Sequence, residues 1–163
     1  MLKEFRRIGR QLFHLGLITS HGGNLSLRKG GDIFITRHSA MLGDLQKGDV
    51  VKVSTKRGSA KPAEVSKEYP VHKKIYDMTG AGAVIHAHPP NAIALSLVKK
   101  TIQPLDAEGI ILLGEIPVIT ARKVVGSKEV GEKLAKALMK APVAMVKGHG
   151  SFAVGKTLEE AIC

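Results

Sequence analysis

The 163 residues match the size of one ordinary domain, in which roughly 70% of the surface exposed by the unfolded chain becomes buried. With 44% hydrophobic and 24% charged residues the chain reads as globular and not disordered, and 25 Lys and Arg against 14 Asp and Glu leave a net +11 that favours an anionic partner. Apolar runs such as 109–114 fall far short of the roughly 20 residues that cross a bilayer, MLKEFRR lacks a signal-type apolar core, and the one cysteine, Cys163, can build neither an internal disulfide nor a cysteine zinc knuckle, so a cytoplasmic protein is expected, with no membrane partner.

In chain order, Leu2, Phe5, Ile8, Leu12 and Leu15 recur at steps of three and four, which predicts a helix that Gly16 ends. Residues 24–27 and 32–36 alternate as two strands joined by Lys29-Gly30-Gly31, a hairpin, and a third strand is expected near 49–54. Residues 55–63 read as a loop. A helix follows over 66–78, with Pro70 tolerated in its first turn, and then a strand over 83–88 stopped by Pro89-Pro90. A helix over 91–98, a short strand at 116–119, and a helix over 128–140 with Val130, Leu134, Leu138 and Met139 on its apolar side come next. Residues 143–146 read as a buried strand delivering Gly148-His149-Gly150, 151–154 continue the sheet, and Thr157 starts an N-capped helix. The pattern is mixed α/β in one domain, without repeat or linker.

Strand residues two apart point to the same face, so His86 and His88 would present adjacent imidazoles, as a divalent metal requires. His149, between two glycines, is a candidate third ligand, leaving one coordination position open. Glu68, at the start of a helix, is the best-placed carboxylate for a fourth ligand or a general base. Each piece alone also has a plain reading: a hydrogen-bonded strand histidine, a carboxylate favouring a helix dipole, and, for Gly22-Gly23-Asn24, a turn.

Taken in order, Gly22-Gly23-Asn24-Leu25-Ser26, Ile35-Thr36-Arg37-His38-Ser39, Glu68-Tyr69-Pro70-Val71-His72, His86-Ala87-His88-Pro89 and Gly148-His149-Gly150 resemble the class II aldolase/adducin-head family over about residues 2–162. The resemblance implies a three-layer mixed α/β fold with a central, mainly antiparallel sheet flanked by helices. It implies one Zn2+ per chain on His86, His88 and His149, with Glu68 as acid/base. It also implies a substrate phosphate held by Gly23, Asn24, His38, Ser39, Ser66 and Lys67, positions whose glycine loop and helix N-terminus suit an anion on physical grounds too. The expected activity is a zinc-dependent carbon–carbon lyase that cleaves a small ketose phosphate, such as L-fuculose 1-phosphate, into dihydroxyacetone phosphate and an aldehyde, in a homotetramer.

The sequence departs from the family pattern at three places. His38-Ser39 replaces Thr-Gly and Lys67 replaces a second Ser; Ala107 stands where the aldolases carry a proton-donating tyrosine, with Asp106 and Glu108 as possible substitutes; and the C-terminal helix seen in some members is cut short at Cys163. The rival expectations are epimerisation, dehydration or decarboxylation on the same metal site, and a non-catalytic adducin-like binding module. Nucleic acid is not expected as a partner, because two Tyr and four Phe form no RNP-like segment and no helix-turn-helix pattern is found.

Overall fold

The computed structural model describes residues 1–56 and 62–163. Its elements are α1 (Leu2–His14), β1 (Asn24–Lys29), β2 (Asp32–Thr36), β3 (Val50–Ser54), α2 (Tyr69–Met78), β4 (Ala83–Ala87), α3 (Pro90–Val98), β5 (Thr101–Ile102), α4 (Ala107–Leu113), β6 (Ile116–Ile119), α5 (Lys128–Leu138), β7 (Val143–Val146), β8 (Gly150–Gly155) and α6 (Leu158–Ile162), with a 3-10 turn at Leu42–Asp44. The strands form one eight-stranded sheet in the order β3-β2-β1-β4-β8-β7-β6-β5. Every described pairing is antiparallel except that of β6 with β7.

Alternation along the central strands splits the core into two layers of contact. On one face, Ile33, Ile35, Val84, Ala144 and Phe152 pack under α2 and α5 through Val71, Ile75, Val130 and Leu134. On the other, Leu25, Ala83, Ile85 and Ala87 pack under α1, α6 and the 3-10 turn through Phe5, Ile8, Leu12, Leu42 and Leu158. β4 is buried along its whole length because helices cover both sides of it. Each of these large apolar side chains contributes about 1.5–3 kcal/mol by leaving water. His86 shares the α2/α5 face with Val84, which places a polar ring inside an apolar layer.

The expected three-layer architecture is observed, with differences that have physical causes. α2 begins at Tyr69 and not at 66, because Ser66 turns back on the chain and its hydroxyl accepts the Glu68 N–H at 3.2 Å. Leu15 and Met139 lie at the caps of α1 and α5, where the helical face no longer meets the sheet, and both are exposed. The sequence pattern predicts neither β5 nor α4, since β5 has two residues and α4 carries a continuous apolar run with no amphipathic period. Within the expected loop 55–63, residues 57–61 lie outside the described residues. Among the described residues no helix is long and apolar enough to cross a membrane.

Candidate active site

Three strands and two turns converge on one point. In the antiparallel register His86 lies opposite Asn24 of β1 and Phe152 of β8. The Phe152 ring stacks on the His86 imidazole, with centroids 4.2 Å apart and planes at 15°. His86 Nδ1 donates to the Ser151 carbonyl at 2.9 Å, so that its Nε2 carries the lone pair. His88 stands just beyond β4 and not within it: Pro89 and Pro90 end the strand, and the His88 N–H donates instead to the Leu17 carbonyl at 2.7 Å. The change keeps the pair together, with His88 Nε2 2.9 Å from His86 Nε2.

His149 enters from the turn between β7 and β8, its ring centroid 4.8 Å from that of His86 and 5.4 Å from that of His88. The turn can come so close because residue 150 is glycine. A Cβ there would lie 2.4 Å from the Ala87 carbonyl oxygen and within 2.9 Å of atoms of both histidine rings. One ring nitrogen from each of His86, His88 and His149 lies within 4.8 Å of the others, which makes them a candidate metal-ligand set.

Burial sets the charge state of the site. Burial first, then the neighbouring histidines, hold His86 well below the usual imidazole range; burial lowers His88; burial and then His88 bring His149 to about 4. All three rings are therefore neutral near pH 7, with lone pairs free for a cation. Burial pushes Glu68 up to about 7, against a smaller pull from the Gly126 N–H. That N–H donates to Glu68 Oε2 at 3.0 Å. Among the described residues Glu68 Oε1 has no hydrogen-bond partner and lies 3.8 Å from His149 Nε2, while His149 Nδ1 is likewise buried without a hydrogen-bond partner. Glu68 is the N-cap residue of α2, but its carboxyl makes no capping bond to that helix. Three neutral nitrogen donors beside unsatisfied buried atoms form a set that fits a divalent ion.

The expected anion-binding positions gather around the same cavity, of about 160 Å³. Gly23, Asn24, His38, Ser39, Ser66 and Lys67 all line it together with Glu68 and the three histidines. Asn24 Oδ1 is buried there without a hydrogen-bond partner among the described residues. Ser39 adopts φ +62°, the one non-glycine residue in the left-handed region among the described residues, a conformation that costs on the order of 1 kcal/mol and marks local demands of the site. His21, Arg37 and Val125 also line the cavity, and Gly126 holds Glu68; sequence reasoning misses these four, although His21 and Arg37 adjoin expected positions, whereas only tertiary contacts bring the loop of Val125 and Gly126 here. Asp106 and Glu108 do not line it. Asp106 accepts the Gly109 N–H at 2.8 Å as the N-cap of α4, and Glu108 sits in that helix's first turn.

Several known proteins are similar to this chain over most of its length. L-fuculose phosphate aldolase of Methanocaldococcus jannaschii is 30% identical over 160 residues, covering 98% of this chain and 86% of that protein. The crystal structure of L-fuculose-1-phosphate aldolase from Thermus thermophilus superimposes with a TM-score of 0.93 at 36% identity, over 98% of this chain and 84% of that one. A 3-oxo-tetronate 4-phosphate decarboxylase of Cupriavidus necator is 32% identical over 123 residues, 72% of this chain and 57% of its own. The family model described as Class II Aldolase and Adducin N-terminal domain matches residues 3–163. The chain therefore belongs to the class II aldolase/adducin family, whose metal-dependent lyase chemistry accords with three histidines, His86 buried and the other two half-buried, and a buried carboxyl in one cavity.

Proposed function

We propose that the protein is a zinc-dependent aldolase that cleaves a small ketose phosphate, such as L-fuculose 1-phosphate, into dihydroxyacetone phosphate and an aldehyde. The observation that carries this reading is the meeting, in one cavity, of three neutral imidazoles and a buried carboxyl that titrates near neutrality. His86, His88 and His149 would hold one divalent ion, and three nitrogen donors with a position left open suit zinc. When bound, such an ion supplies charge stabilisation at the substrate carbonyl. Glu68 moves the proton on carbon: the hydroxyl of the departing fragment gives its proton to solvent as it becomes the aldehyde carbonyl, the electron pair of the breaking carbon–carbon bond passes to the remaining fragment, and the carboxylic acid delivers a proton to that carbon; in the reverse direction the carboxylate removes it. Gly23, Asn24, His38, Ser39, Ser66 and Lys67 would take the phosphate.

A second reading keeps the site and changes the reaction to dehydration or decarboxylation of a related phosphate. It is favoured by one observation: among the described residues lining the cavity there is no tyrosine to accept the hydroxyl proton released in aldol cleavage. Metal-loaded protein screened against phosphorylated ketoses and sugar-acid phosphates, with products identified by NMR, separates the two. Release of dihydroxyacetone phosphate supports the aldolase; loss of water or carbon dioxide without triose phosphate replaces it. Elemental analysis is expected to give one metal per chain, lost in His88→Ala; a protein that binds neither zinc nor cobalt refutes the site.

The same reading includes a homotetramer with active sites near subunit boundaries. It is supported by the apolar side chains of the α3–α4 region left in water, with Val98 79%, Leu105 98% and Ile111 80% exposed. Light scattering that shows only monomer at micromolar concentration contradicts it.

A further inference from the structure

We infer that Gly126 is a positioning residue for Glu68, its backbone N–H committing Oε2 so that Oε1 alone is free to exchange a proton with substrate. The inference rests on the proton-transfer role proposed for Glu68. The two residues are 58 apart in sequence, and the bond between them is 3.0 Å long and partly buried. Gly126 has φ +62°, and a Cβ there would lie 2.4 Å from the Lys67 carbonyl oxygen, the carbonyl of the residue just before Glu68. Both the left-handed backbone and the lack of space against another backbone demand glycine at this point.

Donor and acceptor are each mounted on a fixed support. Ser127, the next residue, is the N-cap of α5: its hydroxyl accepts the Val130 N–H at 3.1 Å and donates to the Lys123 carbonyl at 2.7 Å. Glu68 is the N-cap residue of α2, with its N–H held by Ser66. α2 and α5 pack on each other in the same apolar cluster through Val71, Ile75, Val130 and Leu134, so the helix pair sets the spacing between the N–H and the carboxyl. A glutamate side chain has three rotatable torsions, and a carboxyl without this bond would be buried with both oxygens unsatisfied. The bond leaves Oε1, which has no hydrogen-bond partner among the described residues, facing His149 and the cavity. Orientation of this kind is worth much to a rate: a misplacement of about 1 Å at a reacting group costs roughly 10²-fold.

The test is Gly126→Ala, compared with Glu68→Gln, both loaded with zinc and checked for metal content and melting temperature. Gly126→Ala is expected to keep its metal and to lower kcat by roughly 10²-fold, with a smaller effect on KM through the neighbouring Lys67, because the bond acts on the chemical step. The exchange of solvent deuterium into dihydroxyacetone phosphate should slow by the same factor, since that half-reaction needs only the proton transfer. If Gly126→Ala folds, holds metal and turns over like the wild type while Glu68→Gln is inactive, the positioning inference is overturned and the role of Glu68 stands; if Glu68→Gln is also active, the proposed role of Glu68 has failed first. Should Gly126→Ala not fold, amide hydrogen exchange decides. Faster exchange of the Gly126 N–H in Glu68→Ala than in wild type supports the bond, and unchanged exchange overturns it.

Discussion

Replacing Glu68 by Gln separates what this residue does for turnover from what it costs the fold. Glu68 is 4% exposed, and burial raises its pKa from 4.5 to about 7. A pKa raised in the folded state means that the protonated group is tolerated below pH 4.5 and that stability is lost as pH rises through 7, because the unfolded chain ionises freely while the folded one must bury a carboxylate. With 1.36 kcal/mol per pKa unit, the wild type is expected to lose about 2.5 kcal/mol relative to Glu68→Gln between pH 5 and pH 8. For a chain of this size that is a relative shift in melting temperature of roughly 5–10 °C. The comparison is made by thermal denaturation of metal-free protein, since a bound cation would itself favour the carboxylate. The same substitution is expected to lower kcat by roughly 10²–10⁴-fold in the metal-loaded protein. A melting-temperature gap identical at the two pH values would refute the argument from burial, and a variant with full metal and near-normal kcat would remove Glu68 from the proton transfer.

Two further outcomes follow from the packing around the site. Phe152 is fully buried and stacked on His86, so Phe152→Ala is expected to cost about 3–5 kcal/mol in urea denaturation and also to weaken zinc binding by freeing the His86 ring; unchanged zinc affinity in the folded variant would show that stacking does not hold the ligand. Burial alone would raise the pKa of Asp49, but bonds from the Gln46 N–H at 2.7 Å and from Arg37 Nε at 2.5 Å outweigh it and lower the pKa from 3.8. Its contribution is therefore present above pH 3.8 and fades as pH falls below that value. Asp49→Asn should cost on the order of 1–3 kcal/mol at pH 7, and the gap to wild type should narrow in acid; a gap independent of pH would contradict the pairing.

The sequence by itself determined the mixed α/β class, most strand and helix positions, and the three histidines of the candidate metal-ligand set. These depend on local chemistry: apolar period, the prolines after His88, glycines flanking His149, and histidines two apart. Even so, the reason His86 and His88 meet was only half legible, since strand alternation was the expected cause and the second ring in fact stands beyond the strand, turned by two prolines and tied to Leu17. Tertiary structure decided what no period encodes. The Gly126 N–H reaches Glu68 because α2 and α5 share an apolar core, and Arg37, His21 and Val125 reach the cavity because separate loops fold over it. It also distinguished carboxylates that look alike in sequence. Asp106 is satisfied by capping an exposed helix, whereas Glu68 is buried with one oxygen unpartnered, and removal from water is what turns an ordinary glutamate into a group that titrates near neutrality.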